Sequence, residues 1–302
     1  MHMRTNAKLY KLDQSPLYKL RSRAKLARLL GVSVADLRRL TKNADSLYKE
    51  FEIRKKNGEM RPVQNPERYL KVVQGRLAKV LARIAPPDYL YCPVKGRCYV
   101  SNAGQHRGNR DVRCLDIRRY FPSTPSRRVY WFFRSVMGCE KDIAATLARL
   151  ATYKGCLPTG SRLSPIMAYY SHIDTWDAIA CICKEKGYRL TVYIDDVTIS
   201  GQSVDPDDIW RIKQVIHRSG LRYHKEKAYT DRPPEITGVI VDGERLIVPN
   251  RQIAKLAKTR KSLSSTTDPE ELKKLHDKIS GLRGQMAQVA IKALELPQLS
   301  TT

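Results

Sequence analysis

Two spacings of apolar residues alternate along this chain. At helical spacing, Leu70, Val73, Leu77, Val80 and Leu81 form one stripe of a helix over 67–84, closed by Pro86-Pro87. The same period runs through SRAKLARLL and VADLRRLTK near the start and through SRRVYWFFRSVMG, EKDIAATLARLATY and SPIMAYYSHIDTWDAIACICKEKG in the middle. It returns in DPDDIWRIKQVIHRSG, ending at Gly220, and after Asn250, where Leu256, Leu272, Leu275, Ile279, Leu282 and Val289 would line a small bundle. Two-residue alternation marks strands. FEIRKK and EMRPVQ flank Asn57-Gly58, RLTVYI and VTISG flank Asp195-Asp196, and DVRCLDI and LRYHKEKAYT stand alone. EITGVIVDGERLIVP reads as a further hairpin across Asp242-Gly243. The order strand, helices, hairpin, helix, strand predicts an α+β domain with helices on one face of a sheet.

Several positions in these elements carry candidate chemistry. In DVRCLDI, alternation gives Val112, Cys114 and Asp116 one face and Arg113, Leu115 and Ile117 the other. A carboxylate in such a strand is costly to bury without a cation. Asp195 and Asp196 repel each other unless a cation lies between them, and a pair of divalent metals is one answer. A polar turn, in which Asp is common, is the other. Along the strand, Tyr193 and Asp195 share a face and Ile194 points into a core. Lys55, Lys56 and Arg61 on the first hairpin make either a triphosphate clamp or a solvated basic edge. GCLPTGSRLSP is a bent loop, and Ser164-Pro165 starts a helix whose N-terminus faces a nucleotide or merely ends an inter-helix turn. Residues 101–106 form a loop or a helix start, where His106 alone is an ordinary polar side chain. Residues 23–42, with Ser33 capping toward Asp36, superficially match a DNA-binding helix-turn-helix, and a helical hairpin packed on the next domain is the simpler reading.

Composition narrows these readings. The chain has 302 residues, enough for two or three compact units, and 42% apolar residues, which excludes a disordered chain. Lys and Arg number 56 against 30 acids, a net charge of +26, and such an excess calls for a polyanionic partner such as nucleic acid. No stretch approaches the ~20 apolar residues of a spanning helix. The start lacks the apolar core of a signal peptide, so a cytoplasmic protein without membrane contact is expected. Seven cysteines, an odd number without a C-x-x-C pair, read as reduced thiols.

With these residues in view, the sequence resembles a reverse transcriptase over nearly its whole length. Tyr193-Ile194-Asp195-Asp196 is similar to the family's Y-x-D-D box. Asp116 with Tyr120-Phe121 resembles D-x-x-x-[FY]-F, and Gly160-x-x-x-Ser164-Pro165 resembles Q-G-x-x-x-S-P. Lys227 falls where the family has a lysine on the strand after the palm helix, and Lys55, Lys56 and Arg61 fall on its fingers hairpin. Asn102-Ala103-Gly104-Gln105-His106 matches the N-A-x-x-H of the retron branch, and Ile236-Thr237-Gly238 is similar to its V-T-G. The chain is about retron size, without recognisable maturase, endonuclease or ribonuclease H parts. Thr159 departs from the family's Gln, which helps position the template–nucleotide pair, and Arg118-Arg119 departs from its acidic or neutral residues.

The resemblance implies a right-hand polymerase: helical extension 1–50, fingers 51–110, palm 111–245 with an antiparallel sheet and fingers helices inserted at about 124–155, and thumb 246–302. It implies template-directed DNA synthesis on RNA, with two Mg²⁺ ions (Mn²⁺ as a substitute) on Asp116, Asp195, Asp196 and the carbonyl of Ile117. Asp195, on the face of Tyr193, would be the stronger ligand of the pair. Lys56, Arg61, Tyr120, Phe121, Thr159, Gly160 and Lys227 would surround the dNTP, with Phe121 excluding a ribose 2′-OH. Tyr193, Ser164 and Pro165 would lie near primer and template. Asn102, Ala103, His106, Thr237 and Gly238 would touch RNA. A retron enzyme is expected to copy a cognate structured non-coding RNA, priming from an internal guanosine 2′-OH to leave a branched RNA–DNA hybrid. It is further expected to act with a separate effector protein in antiphage defence, with oligomers open to it. The alternatives are another defence-associated or group II intron-like reverse transcriptase, or an inactive RNA-binding protein on a polymerase fold.

Overall fold

The computed structural model describes residues 9–54 and 58–295. Lys55, Lys56 and Asn57, and with them the predicted turn and two of the hairpin's cations, lie outside the described residues. The first two helices are α1 (Arg23–Leu30) and α2 (Val34–Lys42). Ser22 and Ser33 cap them by accepting from the backbone N–H of Lys25 and Asp36. Leu26, Leu30, Leu37 and Leu40 are buried in the main core together with Leu70, Val73, Leu77 and Leu81 of α3 (Arg68–Leu81). The apolar faces of α1 and α2 are thus used in packing, as in the helical-hairpin reading. Between them and α3, β1 (Tyr48–Arg54) and β2 (Met60–Pro66) pair as an antiparallel hairpin, largely exposed.

Next come β3 (Leu90–Cys92), α4 (Tyr99–Gly104), β4 (Asp111–Ile117), α5 (Ser126–Trp131) with a π-helical continuation Phe132–Val136, α6 (Lys141–Ala151), α7 (Ser164–Ser171) and α8 (Ile173–Glu185). The stretch read as one helix from Ser164 is two, broken at buried His172, whose Nε2 lies 3.3 Å from Thr124 Oγ1. Then follow β5 (Arg189–Tyr193), β6 (Asp196–Gly201), α9 (Pro206–Arg218), β7 (Tyr223–Thr230), β8 (Glu235–Ile236), β9 (Val239–Asp242), β10 (Arg245–Ile247), α10 (Asn250–Ser265) and α11 (Pro269–Glu295).

A five-stranded sheet of order β3-β5-β6-β4-β7 forms the centre. It is antiparallel except at its edge, where β3 runs parallel to β5. Three-residue β3 is too short to show alternation, and it brings part of the 51–110 stretch into the central sheet. Leu115, Ile117, Val192, Val197 and Ile199 face the helices in the main core. Helices were expected on one face only, yet Val112 and Cys114 on the other face join a second core with Val100 and Ala103 of α4, Ile236 and Val239, and Val289 of α11. A second sheet, β10-β9-β8, lies there. The sequence suggested one hairpin in it, but Ile236 also pairs with Val239 across Thr237-Gly238. Both of those residues are left-handed, φ 46° and 86°, as a type I′ turn requires. Leu256, Ile279 and Leu282 close a small third core between α10 and α11, while Leu272 stays half-exposed.

The loop before α7 lies hard against β2. Gly160 N–H donates to Gln64 O at 3.2 Å, and a Cβ at Gly160 would stand 2.4 Å from that oxygen. Gly160→Ala is therefore expected to lower stability by about 1–3 kcal/mol, read as a reduced urea midpoint at unchanged slope.

Candidate active site

Strand register decides which side chains meet. Tyr193 pairs with Asp196, Asp196 with Asp116, and Asp116 with Lys225, so all four stand on one rung across β5, β6, β4 and β7. The next rung holds Thr191, Thr198, Cys114 and Lys227, and the one after it Arg189, Ser200, Val112 and Tyr229. Cross-strand partners share a face, so acids, hydroxyls and lysines line one side of the sheet. Its far end is covered by α4 and the second sheet.

This register corrects the expected geometry of the acid pair. β5 ends at Tyr193, and Ile194-Asp195 are the two central residues of a tight turn. Ile194 has φ 60° and packs half-buried at the edge of the main core. Alternation stops at the turn, so Asp196, not Asp195, shares the face of Tyr193 and of Asp116. Asp195 sits at the tip, and its carbonyl accepts the N–H of Ile117 at 2.8 Å. That bond ties the turn to the end of β4.

Burial first, and then the neighbouring acids, push the carboxyl of Asp196 up to about 6. Lys227 opposes this rise. Burial also raises Asp195, with Asp116 adding to it and Arg61 of β2 opposing. Three hard oxygen donors short of positive charge suit a divalent cation such as Mg²⁺. Among the described residues, no three His, Cys, Asp or Glu side chains converge closely enough to enclose an ion alone. As placed, the three acids do not make a closed ion site, so an ion held there would need oxygens from elsewhere. A cavity of 390 Å³ opens beside Asp116 and Asp196 and extends past Lys225 and Lys227 to Thr237 and Arg251. Lys225 is legible in the sequence as a cation of its basic strand, but the ion pair between Arg251 and Glu235 at the back of the cavity is not, because its partners lie on different elements.

The remaining site candidates divide by exposure. Tyr120 is buried, its hydroxyl accepting from Trp176 Nε1 at 3.2 Å, so the ring belongs to the core, with half-buried Phe121 stacked beside it. Ser164 is buried and donates to Pro158 O at 2.6 Å, while Pro165 is half-exposed. Thr159 donates its hydroxyl to Pro62 O at 2.9 Å and its backbone N–H to Gln64 Oε1 at 3.2 Å. Gln64, unremarked in the sequence, thus receives the residue that departs from the family's Gln. Arg61 is exposed on β2. Tyr193 lies against the thiol of Cys92.

Asn102, Ala103 and His106 are fully buried, which leaves these side chains no surface to offer an RNA. Their polar groups turn inward: Asn102 Nδ2 donates to Thr237 Oγ1 at 3.3 Å, and His106 bonds Ser200 and Thr191. The expectation of RNA contact followed from the resemblance to the retron motifs, whereas here the polar groups of Asn102 and His106 join elements of the fold. Thr237 and Gly238 are half-buried and line the cavity.

Comparison with known proteins finds retron reverse transcriptases. The chain is 28% identical over 195 residues to the Retron Se72 reverse transcriptase of Salmonella heidelberg (strain 579083-10), covering 64% of this chain and 52% of that protein. It is 28% identical over 229 residues to the Retron Ec86 reverse transcriptase of Escherichia coli, covering 73% and 71%. The chain is a relative of the retron reverse transcriptases. With the Retron Mx65 reverse transcriptase of Myxococcus xanthus it shares 28% identity over 257 residues, 74% of this chain and 58% of that one. The match to Retron Se72 thus spans about half of that relative's length. No protein-family model matches. These relatives are RNA-directed DNA polymerases by name, and the mixed α and β architecture described above is consistent with theirs. Among the described residues, no helix is long and apolar enough to cross a membrane.

The raised carboxyl of Asp196 makes a testable statement about stability. Its proton is held more tightly in the folded than in the unfolded chain. The associated stability is present below the unfolded value of 3.8 and is lost as pH rises through about 6. Asp196 is exposed, so solvent screening cuts the effect: at pH 8 in EDTA, Asp196→Asn should be more stable than the unaltered chain by no more than about 1 kcal/mol, and at pH 3 the two should coincide. Urea melts at both pH values check this.

Proposed function

We propose that this chain is an RNA-directed DNA polymerase of the retron type. The observation that carries the reading is the rung on which Asp196 faces Asp116, with Asp195 at the adjoining turn and a cavity beside them that Lys225 and Lys227 also line. In this reading the central sheet is the palm, β1–β2 with the neighbouring helices the fingers, α10–α11 the thumb, and 1–50 a helical extension. Asp116, Asp195, Asp196 and the Ile117 carbonyl would hold two divalent ions, Mg²⁺ with Mn²⁺ as a substitute. Such ions supply an activated attacking hydroxyl and neutralise charge on the leaving pyrophosphate.

The chain's own residues do the rest. Arg61 and Lys56 hold the triphosphate from the hairpin side. Lys227 meets it from the palm side and can donate a proton to the departing pyrophosphate. Phe121 blocks a 2′-OH, which selects dNTPs. Gly160 allows the loop of Thr159 to press against β2, which fixes the hairpin over the site. Tyr193 lies beside the primer terminus. Thr237-Gly238 and the exposed lysines and arginines of α10 and α11 track the nucleic-acid backbone.

The template in this reading is one cognate structured RNA, primed from an internal guanosine 2′-OH to give a branched RNA–DNA hybrid. The product serves antiphage defence in the cytoplasm together with a separate effector protein. Sequencing nucleic acid from cells that express the chain with its native upstream DNA tests this, beside an Asp195→Asn/Asp196→Asn control. A short, discrete, RNA-linked DNA is expected only with the intact acids. Long, heterogeneous DNA would move the chain to another reverse-transcriptase group. RNA retained without any DNA would leave an inactive RNA-binding protein.

A further inference from the structure

His106 is 0% exposed, and both ring nitrogens are engaged: Nδ1 lies 2.7 Å from Ser200 Oγ and Nε2 2.8 Å from Thr191 Oγ1. Burial, with the charge of Arg189 beside it, drives the imidazole down to about 3. The neutral ring therefore donates through one nitrogen and accepts through the other. Thr191 belongs to β5 and Ser200 to β6, one and two rungs behind Tyr193–Asp196. The ring thus crosses from one strand of the acid-bearing hairpin to the other and ties both to the segment after α4.

Buried Leu190, Val192, Val197 and Ile199 hold that hairpin from its core face, and the ring adds a polar tie on the other face. A slip of one residue would carry Asp196 to the opposite face, away from Asp116. The turn is bonded to β4 through Asp195 O, yet its own backbone is strained. Ile194 is β-branched and left-handed, φ 60°, at a position where a two-residue turn favours glycine. The other end of α4 is also anchored. Thr237 Oγ1 donates to Tyr99 O at 2.9 Å, and Tyr99 OH donates to Gln285 O of α11 at 3.3 Å. Val100 and Ala103 share a core with Val289 of α11.

We propose that His106 is a positioning residue that locks the register of the β5–β6 hairpin, so that the Asn102–His106 motif governs rate through the acids and not by touching RNA. Through α4 the same tie connects the acids to α11. The proposal rests on the polymerase reading above.

The test uses the full chain, a primed homopolymeric RNA template and dTTP. His106→Phe keeps the ring's bulk and orphans both hydroxyls. Thr191→Val keeps a β-branched strand residue and removes one partner, and it serves as the probe should the first variant not fold. Each should lower kcat about 10- to 100-fold and raise the Mg²⁺ concentration needed for half the maximal rate. The template Kd should stay within about twofold, and the double variant should be no worse than the weaker single one, because one tie is being broken. His106→Gln, which retains donor and acceptor, should recover part of kcat. Hydrogen exchange should quicken over amides 189–201 in both single variants. A weakened template Kd at unchanged kcat would mean RNA contact and overturn the proposal, as would additive effects in the double variant. Unchanged protection of 189–201 would overturn it whatever the enzymatic activity. Failure of the unaltered chain to incorporate any nucleotide would instead sink the polymerase reading.

Discussion

Like-charge repulsion among the carboxylates at one end of the central sheet constrains everything around it. Two unit charges ~5 Å apart at an effective dielectric of 20 oppose each other by about 3 kcal/mol, and burial adds to that. The fold creates this cost by its register and offsets it with cations on two other strands. β4 and β6 pair in a register that sets Asp116 against Asp196, and β7 brings Lys225 and Lys227 alongside on the neighbouring strand. β2 carries Arg61 close enough to act on Asp195. The acids thus stand within reach of cations on both β2 and β7.

The sequence made the strands of this site legible and left their ends obscure. Alternation in DVRCLDI correctly separated Val112, Cys114 and Asp116 from Leu115 and Ile117, and the two faces do enter different cores. Helical stripes located the long helices because burial follows their period. The same rule failed at Asp195, since alternation holds only while a strand continues, and the strand ends at Tyr193. β3 and α4, with three and six residues, are too short to display a period. The motif from Asn102 to His106 was visible as a pattern, but its work was not. A histidine bonded to hydroxyls 85 and 94 positions away leaves no local trace.

Thr159 shows how a departure from a family pattern can be absorbed. The shorter side chain turns back onto β2, where Pro62 O and Gln64 Oε1 receive it. Behind it, buried Gln74 accepts from Ser161 and donates to Tyr48 and to Leu150 O, so the loop is fastened to the base of the same hairpin from within. A buried amide with all its bonds made specifies one loop position strongly, because any other leaves a polar group unpaired.

The contact of Asn102 and Tyr99 with Thr237 joins segments that lie on either side of the acids in the chain. Residues 98–106 precede Asp116, yet they are built into the C-terminal third. Anyone grafting that third from a relative would therefore be exchanging half of a joint. The natural unit of exchange in this protein is discontinuous: two pieces, one upstream and one downstream of the acid-bearing strands, that fit each other and must travel as a pair.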